Sequence, residues 1–217
     1  MIPLGSSQIK AILFDLDGTL IDAYQAIIQS FNHTMRRLHY PVKPDTVIRR
    51  AVGWGDENLL KPFVRREDLA RALRIYRHHH KGALLKGSRL LPGVKRTLKY
   101  LKAKGYILAV ASNRPTRFSR ILVVGLKLAP FFSYMLCADK LKHGKPHPEI
   151  LKKIMKRLSV EPHEALYVGD MRIDAQAGRR ARVKTIVVTT GSSSLREIKK
   201  ENPFCIIKKI SHLKEIV

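Results

Sequence analysis

Short apolar runs alternate with amphipathic segments over the second half of the chain, and one further apolar run lies near its start. The runs have the length and composition of buried strands and fall at 9–14, 106–111, 134–137, 165–168, 183–189 and 204–207. Between them, apolar residues recur every three to four positions and predict helices at 94–104, 116–124, 148–158, 173–182 and 195–200. This alternation predicts an α/β fold with a Rossmann-like parallel sheet flanked by helices.

Three residues mark predicted helix ends. Gly105 follows the helix at 94–104 and is a typical C-terminal residue of a helix. Ser194 and Ser211 precede short helical segments, and we expect their side-chain oxygens to cap the N-termini of those helices.

The segment at 23–85 has a different pattern. Apolar residues at helical spacing begin at Ala26, and further helical segments follow from 45 to 81. Pro62 and the glycines on either side of Trp54 break these helices, but no strong strand separates them. We therefore expect an inserted all-helical cap subdomain at 23–85, a core domain made of 1–22 and 86–217, and a return linker at 82–92.

Two carboxylates, Asp15 and Asp17, directly follow the first apolar run. Asp15 stands at the expected end of a strand, and Gly18 indicates a turn. In parallel α/β proteins, chemistry gathers outside the carboxyl ends of the strands. Two neighbouring carboxylates repel one another, and their burial is costly without a cation. The spacing therefore predicts a Mg²⁺ site with a carboxylate that can also act as a nucleophile.

Polar residues follow other predicted strands as well. Ser112 and Asn113 end the second apolar run, Asp170 ends a later one, and Lys145 lies in the loop before a helix. If the strands are parallel neighbours, these side chains converge on one rim of the sheet. Such a set suits phosphoryl transfer, because a metal and an ammonium neutralise the phosphate while a hydroxyl and amides position it.

These motifs, in their order, resemble those of the haloacid dehalogenase superfamily of phosphatases. From the first motif to the fourth, the matching segments are Asp15-Leu16-Asp17-Gly18-Thr19-Leu20, Ser112, Lys145 in Gly144-Lys145-Pro146, and Gly169-Asp170 followed by Asp174. Their strand contexts and the helical insert agree as well, so the resemblance covers nearly the whole chain. Four motifs in order are far more specific than any one of them.

The resemblance implies a role for each matched residue. Asp15 would be the nucleophile and would form an aspartyl-phosphate, and Asp17 would act first as general acid and then as general base. Mg²⁺ would be held by a carboxylate oxygen of Asp15, the backbone carbonyl of Asp17 and the side chain of Asp170. Gly18 would let the backbone pass close to the phosphate.

The remaining matched residues would serve the phosphate and the nucleophile. Ser112 and the backbone amide of Asn113 would hold phosphate oxygens, and Lys145 would neutralise charge on the nucleophile and the phosphate. Asp174 would orient Lys145 or a metal-bound water. A simpler interpretation also exists for Asp170 and Asp174, since acids at a helix N-terminus are favoured by the helix dipole.

Within the superfamily, Asp17 favours a phosphatase over a dehalogenase, because dehalogenases lack an acid there and halide leaves without a proton. The loop Val52-Gly53-Trp54-Gly55 resembles the cap loop of phosphoglycolate phosphatases. Trp54 could equally face the substrate as a lid residue or belong to the core of the cap. Met171, where Ser or Thr is usual, and Arg114 after Asn113 depart from the family pattern and concern the choice of substrate rather than the chemistry.

The favoured function is therefore Mg²⁺-dependent hydrolysis of a small phosphorylated metabolite. A pyrophosphatase, or a phosphatase of nucleotides or polynucleotide ends, is the alternative within the same fold, and a non-catalytic module that binds anions or nucleic acid is the alternative outside enzymes. The net charge of +25, from 42 basic and 17 acidic residues, motivates the nucleic-acid hypotheses. The charge is evenly spread, however, with 12 basic and 5 acidic residues in 23–85, so a generally basic surface is favoured.

Other features predict the setting of the protein. No apolar run approaches the roughly 18 residues of a membrane helix, and no secretory signal is evident, so we expect a cytoplasmic protein without a membrane partner. Cys137 and Cys205 are expected to be reduced thiols. The run Arg77-His78-His79-His80-Lys81 is expected to be a solvated helix end, because adjacent histidines on a helix point in different directions. Both a monomer and a homodimer remain open.

Overall fold

The sheet is built from parallel strands, as the alternation of strands and helices predicts. The computed structural model describes residues 9–217. Six strands lie side by side in the order β5-β4-β1-β6-β7-β8, all parallel to their neighbours. They are β1 Ala11–Phe14, β4 Ile107–Ser112, β5 Tyr134–Cys137, β6 Ala165–Gly169, β7 Lys184–Val188 and β8 Cys205–Ile207. The predicted α/β fold class is confirmed.

Helices flank the sheet and form the insert. They are α1 Tyr24–Arg37, α2 Asp45–Ala51, α3 Asp56–Leu60, α4 Leu69–Ala83, α5 Val94–Ala103, α6 Thr116–Gly125, α7 Glu149–Leu158, α8 Arg172–Ala181 and α9 Leu195–Lys200. Over residues 9–217, none of these helices combines the length and the apolar run that a membrane crossing requires.

The central strand β1 is buried on both sides. Ile12 and Phe14 point into the larger hydrophobic core, whereas Ala11 and Leu13 point into the smaller one on the opposite face. This alternation follows from the two-residue period of a strand. A strand that buries both faces must be apolar throughout, which is why the run before Asp15 contains no polar position after Lys10.

The register of the sheet brings three chain segments to one edge. Phe14 of β1 is paired with Val110 of β4 on one side and with Val168 of β6 on the other. Since the three strands run in the same direction, the residues that follow them emerge at the same rim. Asp15 lies in the middle of that rim, and its backbone N–H donates to the Val168 carbonyl at 2.9 Å.

Helices α1 to α4 form an insert between two short strands, and we call this insert the cap. The strands β2, Ile21–Asp22, and β3, Arg89–Leu90, pair in an antiparallel ribbon. The predicted return linker at 82–92 contains β3, because α4 ends at Ala83 and Arg89–Leu90 then pair with the outgoing chain. The domain division at 23–85 stays a prediction.

The predicted helix caps have different outcomes. Ser194 caps α9, since its Oγ accepts from the Glu197 N–H at 3.3 Å and the Glu197 carboxylate accepts from the Ser194 N–H at 2.7 Å. The expectation for Ser211 was wrong. It lies inside a 3₁₀ helix, Ile210–Glu215, that begins after Lys209 and has no side-chain cap.

The expectation that the histidine run is solvated was wrong for His80. Its side chain is buried, its ring stacks on Tyr76 with centroids 4.9 Å apart, and the edge of the Phe118 ring lies against it at 5.1 Å. His80 belongs to the buried stripe of α4, which also includes Ala72 and Tyr76 at four-residue spacing. His78, in contrast, is exposed.

Hydrogen bonds assign the tautomer of His80. The Arg114 guanidinium can only donate, so His80 Nε2, 2.8 Å from Arg114 Nη1, accepts. The proton therefore lies on Nδ1, which donates to Ser30 Oγ at 3.1 Å, and Ser30 donates to the Ala26 carbonyl at 2.7 Å. Burial, and then the charge of Arg114, lower the pKa of His80 to about 2.

Loss of the N-cap should destabilise the protein. Ser194→Ala removes the side-chain acceptor of α9, and we expect the free energy of unfolding to fall by about 1 kcal/mol. Ser211→Ala is the matched control, because Ser211 caps no helix, and its effect should stay within about 0.5 kcal/mol. Urea denaturation of the two variants measures the difference, and equal losses would contradict the assignment of Ser194 as the cap.

The buried neutral His80 should make stability depend on pH. The pKa of His80 in the folded protein lies below its ordinary value of 6.5, so the unfolded chain binds the proton first and stability falls as the pH drops below 6.5. Between pH 7 and pH 5, the wild type should lose about 2 kcal/mol more than His80→Gln.

Urea titrations at the two pH values measure this difference. The exposed His78 offers the matched control, and His78→Gln should keep the pH dependence of the wild type. If His80→Gln also keeps the wild-type pH dependence of the free energy of unfolding, the inference that the fold holds His80 neutral is wrong.

Candidate active site

Three carboxylates meet at the rim of the sheet. Oxygen atoms of Asp15, Asp170 and Asp174 lie within 4.8 Å of one another. Asp15 is 8% exposed, Asp170 1% and Asp174 0%. Burial raises the pKa of Asp15 to about 6, and burial with the charges of Asp174 and Asp15 raises the pKa of Asp170 well above its ordinary value. The carboxylates are thus placed where a cation would stabilise their charged forms.

The two carboxylate oxygens of Asp170 have different surroundings. Its Oδ1 accepts from the Thr19 hydroxyl at 2.9 Å, whereas its buried Oδ2 has no hydrogen-bond partner within residues 9–217. A Cβ on Gly18 would lie 2.2 Å from this Oδ2, and Gly18 has a φ of +78°. Only a residue without a side chain therefore fits beside Asp170.

The donor set fits a hard divalent cation such as Mg²⁺. Carboxylate and backbone carbonyl oxygens are its preferred protein ligands. Asp15 and Asp170 could supply carboxylate oxygens, as the sequence predicts, and the predicted third ligand is the backbone carbonyl of Asp17. Asp174 belongs to the acidic cluster too, but both of its oxygens already accept hydrogen bonds.

Lys145 is the buried cation of this cluster. Its Nζ lies 2.9 Å from Asp15 Oδ1 and 2.8 Å from Asp174 Oδ1. Burial alone would lower the pKa of Lys145, but the charges of Asp15 and Asp174 outweigh burial and raise it. Lys145 therefore stays charged beside the proposed nucleophile. The structure brings Lys145 into contact with both Asp15 and Asp174.

Asp174 holds four donors. Its Oδ1 accepts from Lys145 and from the Tyr167 hydroxyl, which is 2.7 Å away. Its Oδ2 accepts from the backbone N–H groups of Asp170 and Met171 at 3.1 and 2.9 Å. Asp174 thus satisfies two N–H groups before α8 and also contacts Lys145, and its predicted role in orienting Lys145 stays a prediction.

Tyr167 was not identified from the sequence. It lies in the middle of β6, and its hydroxyl accepts from Lys145 Nζ at 3.0 Å while it donates to Asp174. Its position within an apolar strand indicated a core residue. The sequence signal that could have identified Tyr167 is its hydroxyl group, because a buried tyrosine hydroxyl needs a hydrogen-bond partner and β6 ends at the rim.

Ser112 and Asn113 lie where β4 reaches the rim. Ser112 Oγ accepts from the Arg114 N–H at 3.2 Å, and the hydroxyl can still donate its own hydrogen. The Asn113 amide group donates to the carbonyls of Lys145 and Gly53 at 3.0 and 2.9 Å, and its Oδ1 accepts from the Lys145 N–H at 2.8 Å. The Asn113 side chain therefore ties the Lys145 loop to the cap, whereas the predicted phosphate contact concerns its backbone amide.

Asp17 is bound by an arginine that the sequence analysis did not assign to the site. Arg114 Nε donates to Asp17 Oδ2 and Arg114 Nη2 donates to Asp17 Oδ1, both at 2.8 Å. Its third nitrogen, Nη1, donates to His80 of the cap. Both oxygens of the Asp17 side chain are thus engaged by the guanidinium fork of Arg114. The only sequence signal was the departure from the family pattern at position 114.

A cavity of about 50 Å³ lies between the rim and the cap. Asp15, Asp17, Asp170, Ser112 and Arg114 form its polar end. The cap side is largely apolar and is lined by Tyr24, Ile27, Val52, Leu59 and Tyr76. Trp54 does not line this cavity and lies instead along an outer groove, with the Arg172 guanidinium 6.0 Å from its ring centroid.

The sequence is similar to that of a known family and of known phosphatases. Residues 12–188 match the model of the family described as haloacid dehalogenase-like hydrolase. The chain is 30% identical to a phosphoglycolate phosphatase of Haemophilus influenzae, over 98% of this chain and all of that protein. It is 32% identical to one from Mannheimia succiniciproducens over the same shares.

A solved structure shows the same fold along nearly the whole chain. The crystal structure of a predicted phosphoglycolate phosphatase from Haemophilus somnus superposes with a TM-score of 0.90 at 28% identity. The match covers 96% of this chain and 98% of that one. The same rim brings together Asp15, Lys145, Asp170 and Asp174. With the family match and the similarity along the full length, this shows that the chain belongs to the haloacid dehalogenase-like hydrolases.

Proposed function

We propose that this protein is a Mg²⁺-dependent phosphatase that hydrolyses small phosphate monoesters through an aspartyl-phosphate on Asp15. The observation that carries the proposal is the position of Asp15 at the end of the central strand, with Lys145 Nζ 2.9 Å from its carboxylate and Asp170 beside it. The names of the relatives favour phosphoglycolate or a similar compound as the substrate.

In this proposal Asp15, Asp170 and the backbone carbonyl of Asp17 hold the Mg²⁺. When bound, the ion would neutralise charge on the acidic cluster and on the phosphoryl group. Lys145 adds a second positive charge, and Asp174 keeps it aimed at Asp15. The positive groups reduce the repulsion between the anionic nucleophile and the anionic substrate.

The first step transfers the phosphoryl group to the protein. A carboxylate oxygen of Asp15 attacks phosphorus, and the bond between phosphorus and the ester oxygen breaks. Asp17 gives its proton to the departing oxygen, so the alcohol leaves neutral. Ser112 can donate its hydroxyl hydrogen to a phosphoryl oxygen meanwhile, and the backbone amide of Asn113 is the proposed second donor.

The second step restores the nucleophile. Water attacks the phosphorus of the aspartyl-phosphate, Asp17 accepts a proton from that water, and the bond from phosphorus to Asp15 breaks. The products are inorganic phosphate and the free Asp15 carboxylate. Asp17 is then protonated again and ready for the next substrate.

The cavity supports a small substrate. About 50 Å³ holds a few water molecules, a space that suits a phosphoryl group with few further atoms. This size disfavours the nucleotide and polynucleotide alternatives. The cytoplasmic location, the small phosphorylated partner and the choice between monomer and homodimer stay predictions.

Removal of the nucleophile should abolish turnover. Asp15→Asn cannot form the aspartyl-phosphate, and we expect phosphate release from p-nitrophenyl phosphate to fall by about 10³-fold or more. Asp45→Asn is the matched control, because Asp45 is exposed at the start of α2, and it should keep wild-type activity. Chelation with EDTA should stop the wild type, and added Mg²⁺ should restore it. Full activity of Asp15→Asn would refute the proposed nucleophile.

The role of Asp17 should depend on the leaving group. An alkoxide needs a proton to leave, whereas p-nitrophenolate leaves without one. We therefore expect Asp17→Asn to lower kcat for phosphoglycolate, whose leaving group is an alkoxide, by about 10²- to 10⁴-fold and to affect the phosphorylation step with p-nitrophenyl phosphate much less. Burst-phase measurement of p-nitrophenolate separates this step from the later hydrolysis. Equal losses for both substrates would contradict the general-acid assignment.

A further inference from the structure

We propose that Arg114 binds a second anionic group of the substrate, a carboxylate close to the phosphoryl ester, and that this binding releases Asp17 for catalysis. The inference rests on the proposed phosphatase function and deepens it, because it assigns the substrate class to one residue. It predicts short phosphorylated carboxylic acids as substrates.

Arg114 is a buried cation in the cavity wall. It is 8% exposed and lines the same cavity as Asp15. Of the side chains known to line this cavity within residues 9–217, it is the one that carries a permanent positive charge. A second anionic group on the substrate therefore has one counter-charge available at this end.

The fork of Arg114 already holds a carboxylate. Nε and Nη2 make parallel hydrogen bonds of 2.8 Å to the two oxygens of Asp17. This bidentate arrangement is the geometry in which arginine recognises carboxylates. A substrate carboxylate presents the same two oxygens at the same spacing, so Asp17 marks the position that it would take.

Asp17 cannot serve two partners at once. While both of its oxygens accept from Arg114, the two hydrogen bonds fix the orientation of the Asp17 side chain, and Asp17 must leave them to turn toward the departing oxygen of a substrate. A substrate carboxylate on the fork replaces Asp17 and leaves it free to rotate toward the ester oxygen. A phosphate ester without a second anionic group provides no replacement, so Asp17 stays on Arg114 for more of the time.

The cap positions the fork. His80 of α4 accepts from Arg114 Nη1 at 2.8 Å and turns Nε and Nη2 toward the cavity. His80 is in turn held by Ser30 of α1. The orientation of Arg114 is thus set jointly by the cap and the core, and the other cap residues at the cavity offer mainly aromatic and aliphatic surface to a ligand.

Size limits where the second charge can lie. A cavity of about 50 Å³ favours a molecule of few atoms to join a phosphoryl group at Asp15 to a carboxylate at Arg114. The aliphatic side chains of Ile27, Val52 and Leu59 offer no hydrogen bonds to the hydroxyl groups of a polyol chain. The chemistry of the cavity therefore favours a short acid over a sugar phosphate.

The test compares three substrates. Phosphoglycolate carries the carboxylate, ethyl phosphate has a similar size without it, and p-nitrophenyl phosphate needs no proton on its leaving group. We expect the wild type to show a kcat/KM for phosphoglycolate about 100-fold or more above that for ethyl phosphate. Arg114→Gln should remove most of that ratio, and Arg114→Lys, which keeps the charge but lacks the fork, should fall between the two.

A neighbouring arginine gives the control. Arg117 is exposed on α6 and does not line the cavity that Arg114 lines, so Arg117→Gln should keep the wild-type ratio. The ratio between substrates is a readout that a general loss of folded protein does not change. The wild-type ratio also tests the inference without any variant.

The outcomes separate this inference from the proposed function. Hydrolysis of p-nitrophenyl phosphate that depends on Asp15, combined with no preference for phosphoglycolate over ethyl phosphate, would overturn the role of Arg114 and leave the phosphatase intact. Equal losses on all three substrates in Arg114→Gln would overturn it as well. No hydrolysis of any phosphate ester by the metal-loaded wild type would instead refute the proposed function.

Discussion

The site depends on an imbalance of charge at the rim of the sheet. The parallel register carries Asp15 and Asp170 to the same point, and Asp174 follows one helical turn later. Lys145 is the single ammonium among these three buried carboxylates. Buried charges are tolerated only when they are paired and hydrogen-bonded, so a further cation is needed at this point. Asp170 Oδ2, which has no hydrogen-bond partner among the residues from 9 onward, and the glycine beside it occur where that cation would complete the set.

Much of the fold and of the acidic cluster could be predicted because both depend on local order along the chain. Continuous apolar runs predict strands that bury both faces, and such strands belong to parallel sheets. Once the sheet is parallel, the residues after each strand must share an edge, which places Asp15, Ser112 and Asp170 together. The family resemblance supplied Asp174 and the role of Lys145, because their helix and loop positions do not by themselves specify a common point.

The contacts between cap and core could not be predicted in the same way. The bond from His80 to Arg114 joins residues 34 positions apart, and no periodic pattern contains both of them. A signal did exist for His80, because Ala72, Tyr76 and His80 form one buried stripe at four-residue spacing. The expectation of a solvated helix end considered the adjacent histidines together, whereas burial on a helix follows the three- to four-residue spacing of one face. For Arg114, nothing in the local sequence indicated a partner in Asp17.

Asn113 connects two parts of the molecule that a hydrolase must move and hold at different times. One hydrogen of its side-chain amide reaches Gly53 of the cap, and the other reaches the Lys145 carbonyl, while its oxygen accepts from the Lys145 N–H. The cap therefore does not rest on a passive surface. A displacement of the Gly53 loop would break a hydrogen bond on the same side chain that braces the Lys145 loop. The position of the cap loop and the rigidity of the charged cluster are therefore linked through the side-chain amide of Asn113.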